Sequence, residues 1–253
     1  MKTIRSATKQ AIFSKDFLIG VIGVIVVVFI SSISDILEAL RFEGLLPNGF
    51  HNSFIENAII SDAMTLALPI IAALPFTASF VNDIKSGFVK YYLHRTSRRK
   101  YITSKFIACS ISGGFVLALG IIVSYIISAI VFFYMEDPTP KDATTLMFYA
   151  DFMKSIVLAF LSGAFWSLCG FTVATITGSK YMAYASPFII YYVLIILYER
   201  YFDKFYVLYP KEWINPSSQW ILGDWGVIIL LLGLIIGIGT VFNFTVKRRI
   251  SQL

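Results

Sequence analysis

The chain has 253 residues, of which 57% are hydrophobic and 14% are charged, whereas a soluble domain carries roughly 25% charged residues. This composition indicates a membrane protein and leaves no room for a soluble catalytic domain, because apolar runs of ~20 residues per crossing occupy about half of the chain. The net charge of +6 is spread over alternating segments, so it does not indicate nucleic-acid binding.

Six apolar runs predict an all-α membrane protein that forms a single transmembrane domain over residues 1–253. The predicted spans are residues 17–33, 62–80, 106–134, 152–177, 181–198 and 225–246. A helix over residues 2–15, with apolar residues at helical spacing among Lys and Arg, is predicted to lie in the lipid headgroup layer. A short amphipathic helix ending near Gly44 or Pro47 is predicted after the first span.

The distribution of charge predicts the orientation of these spans. Of the 21 Lys and Arg residues, 15 fall on the side of the two termini and of the connection between the second and third spans. Because positively charged loops stay in the cytoplasm, we expect a multi-pass protein of the cell membrane with both termini cytoplasmic. The first run is too long for a signal peptide and lacks an Ala-x-Ala cleavage site.

Several residues predict how the spans pack. Pro69 and Pro75 are expected to kink the second span. The fourth span is rich in Gly, Ser and Thr and is expected to lie in the interior. Gly233 and Gly237 form a Gly-x-x-x-Gly pair, which is either a homodimer seam or an intrachain packing site. The aromatic segment 199–222, which its prolines should break into short pieces, is expected to dip into the membrane interface.

The sequence lacks the residues of several kinds of catalytic site. No Gly-Lys dipeptide occurs, so the chain has no P-loop and is not expected to hydrolyse ATP itself. The two histidines, His51 and His94, fall on opposite sides of the membrane, and no metal site is expected. No ionisable residue lies well inside a span, which disfavours a proton-coupled carrier. Sodium could still be held by backbone carbonyls of broken helices.

The connection over residues 80–105 has seven basic residues and one acid. Positive charge facing anionic lipid would explain the number of these residues but not their order. Asp83, Gly87, an aromatic and aliphatic stretch to Leu93, the run Ser97-Arg98-Arg99-Lys100-Tyr101 and Lys105 follow one another. This order resembles the cytoplasmic connection of ABC-2 type transporter permeases, although the family more often has Glu in place of Asp83 and Pro near Arg95.

The resemblance implies that this connection is a coupling helix that docks into a groove of a separate cytoplasmic ABC ATPase subunit, which binds ATP and Mg. The chain itself would bind no cofactor and would pair with a second permease copy or a homologous permease. Val89, Tyr92 and Leu93 would form the apolar docking face. The basic residues Arg95, Arg98, Arg99 and Lys105 would anchor the connection to acids or lipid phosphates.

The expected function is ATP-driven export through a path between two permease halves. The candidate lining residues of that path are Pro69, Pro75, Ser162, Ser167 and Thr172. Three alternatives stay open on the sequence: a non-transporting immunity or sensor subunit, an ion-coupled secondary carrier and an intramembrane enzyme.

Overall fold

The computed structural model describes residues 2–93, 96–137, 142–202, 204–217, 220 and 222–250. Over these residues the fold is all-helical and contains no β-strand. The α-helices are α1 (Lys2–Ile12), α2 (Lys15–Ser31), α3 (Ile33–Arg41), α4 (Phe50–Ile60), α5 (Asp62–Ala73), α6 (Ser79–Lys85), α7 (Phe88–Leu93), α8 (Arg98–Phe132), α9 (Asp142–Thr177), α10 (Lys180–Arg200) and α11 (Asp224–Ile250). Two short 3-10 helices span Tyr206–Leu208 and Pro210–Trp213.

Four helices, α8 to α11, are long and apolar enough to cross a membrane. They overlap the last four predicted spans, although α8 and α9 begin earlier than predicted, so the multi-pass class is confirmed. Two further pairs, α1 with α2 and α4 with α5, are long enough only when each is taken as one span across a bend of 49° or 67°. The described residues therefore hold four to six spanning helices, and the number six stays a prediction.

The predicted second span, residues 62–80, is not one helix. Helix α5 ends at Ala73, and α6 begins only at Ser79, after a turn of the chain. Pro75 lies in this turn, where its missing N–H cannot continue the helical hydrogen bonds. Pro69, by contrast, is accommodated inside α5. The prediction of a kinked but continuous helix was therefore wrong at Pro75, whereas α5 continues through Pro69 and a kink there stays a prediction.

The connection before α5 folds into two helices. Helix α3 confirms the predicted amphipathic helix and ends at Arg41, before Gly44. Helix α4 was not predicted, because it is short and polar residues such as His51 and Glu56 interrupt its apolar pattern. It nevertheless packs against α8 and buries Phe54 completely.

The amino-terminal helix is shorter than predicted. It ends at Ile12, and the side chain of Ser14 then caps α2 by accepting a hydrogen bond from the backbone N–H of Phe17 at 3.1 Å. Helix α1 packs along α8 with Ala11 fully buried. Its position in the headgroup layer stays a prediction.

Helix α9 is the centre of the bundle and contacts α5, α8, α10 and α11. In the most apolar stretch of α9, 72% of the residues are buried, compared with 17% in the corresponding stretch of α11. This confirms that the fourth predicted span is interior. Helix α9 approaches α8 closely, because a Cβ atom on Gly163 would lie only 2.6 Å from the carbonyl oxygen of Gly113. The backbones of α8 and α9 therefore touch, as small residues allow in membrane bundles.

At one end of the bundle, Glu136 joins the loop before α4 to the end of α8. One carboxylate oxygen accepts a hydrogen bond from the backbone N–H of His51 at 2.8 Å and lies 2.7 Å from Nδ1 of its ring. The other oxygen accepts from the N–H of Gly49 at 3.1 Å. Glu136 thereby satisfies an N–H group in the first turn of α4, that of His51, from 85 positions away in the chain.

The aromatic segment after α10 packs on α9. Trp213 is buried, its ring centroid lies 5.7 Å from that of Trp166, and its indole N–H donates to the carbonyl of Val207 at 3.0 Å. Beside it, Nζ of Lys211 lies 2.6 Å from the carboxylate of Asp62, and this hydrogen bond raises the pKa of Lys211. The predicted break into short pieces is confirmed, whereas the predicted position in the membrane interface is not tested.

Candidate functional site

The predicted coupling residues lie on α6, α7 and the first turns of α8. Helices α6 and α7, here called the α6–α7 unit, are joined at Gly87, whose φ of +74° is in the left-handed region that glycine adopts most readily. Beneath the unit is a cluster of buried side chains from α1, α6, α7, α8, α9 and α11. Helix α1, the connection over residues 80–105 and the end of α11, which the charge pattern assigns to one side of the membrane, therefore meet at one end of the fold. We call this end the basic end.

A buried ion pair fastens the α6–α7 unit to α8. The carboxylate of Asp83, on α6, lies 2.8 Å from Nζ of Lys105, on α8. The same carboxylate oxygen accepts a hydrogen bond from the hydroxyl of Tyr101 at 2.6 Å. Tyr101 and Lys105 are four residues apart, so they share one face of α8 and approach Asp83 together. Asp83 and Lys105, which stand at the two ends of the sequence pattern, are therefore in contact in the structure.

The surroundings of this ion pair keep water away from it. The side chain of Lys105 is only 8% exposed and that of Asp83 is 19% exposed. The ammonium of Lys105 also lies 4.7 Å from the ring centroid of Phe76, in a cation–π arrangement. Removing either charge would leave the other without its partner in a poorly hydrated place, which is strongly unfavourable.

Val89 does not face outward, in contrast to its predicted place on the docking face. Its side chain is 1% exposed and belongs to the buried cluster that includes Phe80 and Tyr101. The outward apolar surface of α7 consists instead of Phe88, 46% exposed, and Tyr91, 78% exposed. A substitution at Val89 would therefore disturb the fold, and the exposed aromatic residues are the better probes of docking.

The other predicted coupling residues lie around this surface. Tyr92 is half-buried, and its ring contacts those of Phe88 and Tyr101 at centroid distances of 5.1 and 5.6 Å. Arg98 and Arg99 are exposed in the first turn of α8. Leu93 is the last residue of α7. Arg95 lies outside the residues that the structure describes, and the roles of all these residues in docking stay predictions.

Two contributors to the site were missed by sequence reasoning. Tyr101 was part of the motif but had no assigned role, although its spacing of four from Lys105 on a helix was a usable signal. Phe76 could not be found in this way, because it lies in the turn after α5 and meets Lys105 only through tertiary packing.

The candidate residues of the substrate path are packed inside the chain. Ser162, Ser167 and Thr172 are all buried in α9. The hydroxyl of Ser167 donates to the carbonyl of Cys109 at 3.1 Å, and that of Thr172 donates to the carbonyl of Leu168 within its own helix at 2.8 Å. Pro69 and Pro75 are buried as well. Of these residues, Ser167 links α9 to α8, and the part of all five in a substrate path is untested.

Gly233 and Gly237 lie on an open face of α11. A Cβ atom at either position would meet no atom of the described residues within 4 Å. The described residues therefore give no intrachain packing contact at this Gly-x-x-x-Gly pair, and a homodimer seam stays a prediction. Close helix contacts inside the chain are made by other glycines, among them Gly113 and Gly163.

Comparison with models of protein families, with curated proteins and with solved structures gives no match.

Proposed function

We propose that this chain is the membrane-spanning permease subunit of an ATP-driven exporter of the ABC-2 type. Two such subunits, or this one and a homologue, would enclose the substrate path. A separate cytoplasmic ATPase would bind ATP and Mg and drive opening and closing. The protein would lie in the cell membrane with both termini in the cytoplasm, as the distribution of 15 of its 21 basic residues favours.

The observation that carries the proposal is an exposed aromatic surface on a firmly attached helix pair. Phe88 and Tyr91 point outward from α7, while Asp83 on the adjoining α6 is bonded to α8. A docking element can transmit a movement to a spanning helix only if it is rigidly joined to that helix. The ion pair to Lys105 supplies such a joint, and the two exposed aromatic rings supply apolar contact area of the kind that dominates protein interfaces.

The proposal is tested by replacing Tyr91 with Asp and measuring association with a co-expressed P-loop ATPase in detergent. Tyr91 is exposed, so the fold should survive, while a charge at the centre of an apolar contact should weaken association about 30-fold, the effect of losing an interface hot spot of ~2 kcal/mol. The matched control is Tyr134→Asp, at a tyrosine that is 87% exposed at the opposite end of α8. Equal association of wild type and Tyr91→Asp would contradict the proposal.

One observation favours the immunity or sensor alternative. The residues proposed to line a path, such as Ser162 and Ser167, are buried in α9, and Ser167 is hydrogen-bonded to α8. A non-transporting subunit would have such a packed interior in every state. The alternatives are distinguished by reconstituting the ATPase complex in vesicles, where an exporter depletes substrate in the presence of ATP and a sensor subunit does not.

The ion-coupled carrier is less well supported. Such a carrier would need free backbone carbonyls at the break between α5 and α6. The carbonyl of Ala73 accepts a hydrogen bond from the hydroxyl of Thr77, and that of Ile71 accepts from the N–H of Leu74 at 3.1 Å. The carbonyl of Phe76 accepts from the N–H of Ser79 at 3.0 Å. Three carbonyls near this break are therefore already engaged in hydrogen bonds.

A further inference from the structure

A groove runs between α8 and α11 towards the basic end. Its apolar part is a cavity of about 350 Å³ whose lining includes Phe106 on α8 and Ile235, Ile236 and Gly239 on α11. Helix α11 packs mainly against α9 and makes few contacts with α8, which leaves the groove open along the side of the bundle. This cavity faces the surroundings of the protein rather than its core.

A polar cavity of about 290 Å³ adjoins the apolar one at the basic end. Ile102, Thr103 and Asn243 line both cavities, so the two are continuous. The polar cavity is completed by Arg99 on α8 and Lys247 on α11, both of which are exposed. The described residues that line the two cavities include no acid, so an anion would meet two cations and no opposing carboxylate.

The amino-terminal end of α8 adds to the positive electrostatic potential that Arg99 and Lys247 create in the polar cavity. The first N–H groups of a helix lack intrahelical partners and carry part of the positive end of the helix dipole. The residue before this helix, Ser97, makes no capping hydrogen bond with its side chain, and Arg99 lies in the first turn. Both the backbone and the side chains at this point therefore favour a negatively charged group.

The length of the groove matches one leaflet of a bilayer. Ile235 and Asn243 are eight positions apart on α11, which is about 12 Å along a helix at 1.5 Å per residue. The hydrocarbon of one leaflet is about 15 Å thick, half of the ~30 Å core. An acyl chain that follows the apolar cavity would place its headgroup beside Lys247 and Arg99.

We propose that this groove is a binding site for an anionic phospholipid. The acyl chain lies against Phe106 and Ile236, and the headgroup phosphate is bound by Arg99 and Lys247, with Thr103 and Asn243 as additional hydrogen-bond donors. Gly239 allows the ring of Phe106 to approach α11, since a Cβ atom there would lie 2.9 Å from that ring. The site depends only on the protein lying in a membrane and not on the proposed transport function.

The test is native mass spectrometry of the purified full chain, titrated with phosphatidylglycerol and with phosphatidylcholine. Wild type should retain phosphatidylglycerol preferentially. Each cation near a lipid surface contributes about five-fold to binding, so the double variant Arg99→Gln with Lys247→Gln should weaken binding of phosphatidylglycerol about 25-fold. The matched control, Lys85→Gln with Lys100→Gln, removes the same charge from exposed residues at the basic end that do not line the groove.

A second variant tests the apolar part without changing charge. Thr240→Trp places an indole ring in the cavity from an exposed position and should weaken binding of the lipid while leaving the monomer intact. Equal losses in the groove variant and its charge control would overturn the proposal. It would also be overturned if glycerol phosphate without acyl chains competed as well as the lipid, or if a second copy of the chain occupied the groove and Thr240→Trp converted a dimer to a monomer.

Discussion

Replacing Asp83 with Ala should destabilise the protein by about 3–5 kcal/mol, the cost of leaving one member of a buried ion pair without its partner. Lys105 would retain its charge in a place where its side chain is only 8% exposed. Tyr101 would lose the acceptor of its hydroxyl as well. Thermal or denaturant unfolding in detergent measures the change.

Two variants separate the ion pair from a general loss of packing. Because replacing both charges by apolar groups removes the unpaired ammonium, Asp83→Ala combined with Lys105→Met should recover most of the lost stability. The control is Asp151→Ala, which breaks an exposed pair to Lys154 at 3.1 Å and should cost less than about 1 kcal/mol. A double variant that is less stable than Asp83→Ala alone would show that the charge of Lys105 is not the source of the loss.

The second large effect is expected at the contact between α8 and α9. Replacing Gly163 with Ala adds a Cβ atom 2.6 Å from the carbonyl oxygen of Gly113 and 2.8 Å from a methyl group of Leu117. Because a backbone atom is involved, the two helices must separate, and we expect a destabilisation of about 2 kcal/mol, as for other overpacked sites. Unfolding in the same detergent is the measurement.

The same substitution at Gly233 is the control for this effect. A Cβ atom there meets no described atom within 4 Å, so Gly233→Ala should be neutral or slightly stabilising through the better helix propensity of Ala. If both variants unfolded alike, the close approach of α8 and α9 would not be what makes Gly163 sensitive. If Gly233→Ala alone were destabilising, α11 would have a packing partner on its open face.

The class of the protein could be predicted from its sequence, because hydropathy over long runs is a property of composition alone. Helices α8 to α11 could be predicted from such runs. The break at Pro75 could not be distinguished from a kink, since the sequence specifies the missing N–H but not whether neighbouring groups can replace its hydrogen bond. Helix α4 was missed because its stability comes from packing on α8 rather than from a regular apolar pattern.

The candidate site could be predicted only in part. Asp83 and Lys105 were chosen because they belong to the ordered pattern of the connection, and the structure brings them together. The buried face of α7 could not be chosen from the sequence, because this six-residue helix carries apolar or aromatic side chains on both faces. Only its contact with Phe80 and Tyr101 turns Val89 inward and leaves Tyr91 exposed.

The measurement that tests the proposed coupling role most directly is photo-crosslinking from position 91. A photoreactive phenylalanine analogue replaces Tyr91 in the full chain, and the same analogue at position 134, at the opposite end of α8, serves as the control. After illumination of intact membranes, position 91 is predicted to crosslink to a P-loop ATPase subunit, and position 134 is not. Crosslinks from position 91 only to lipid, or to proteins outside the cell, would contradict the account.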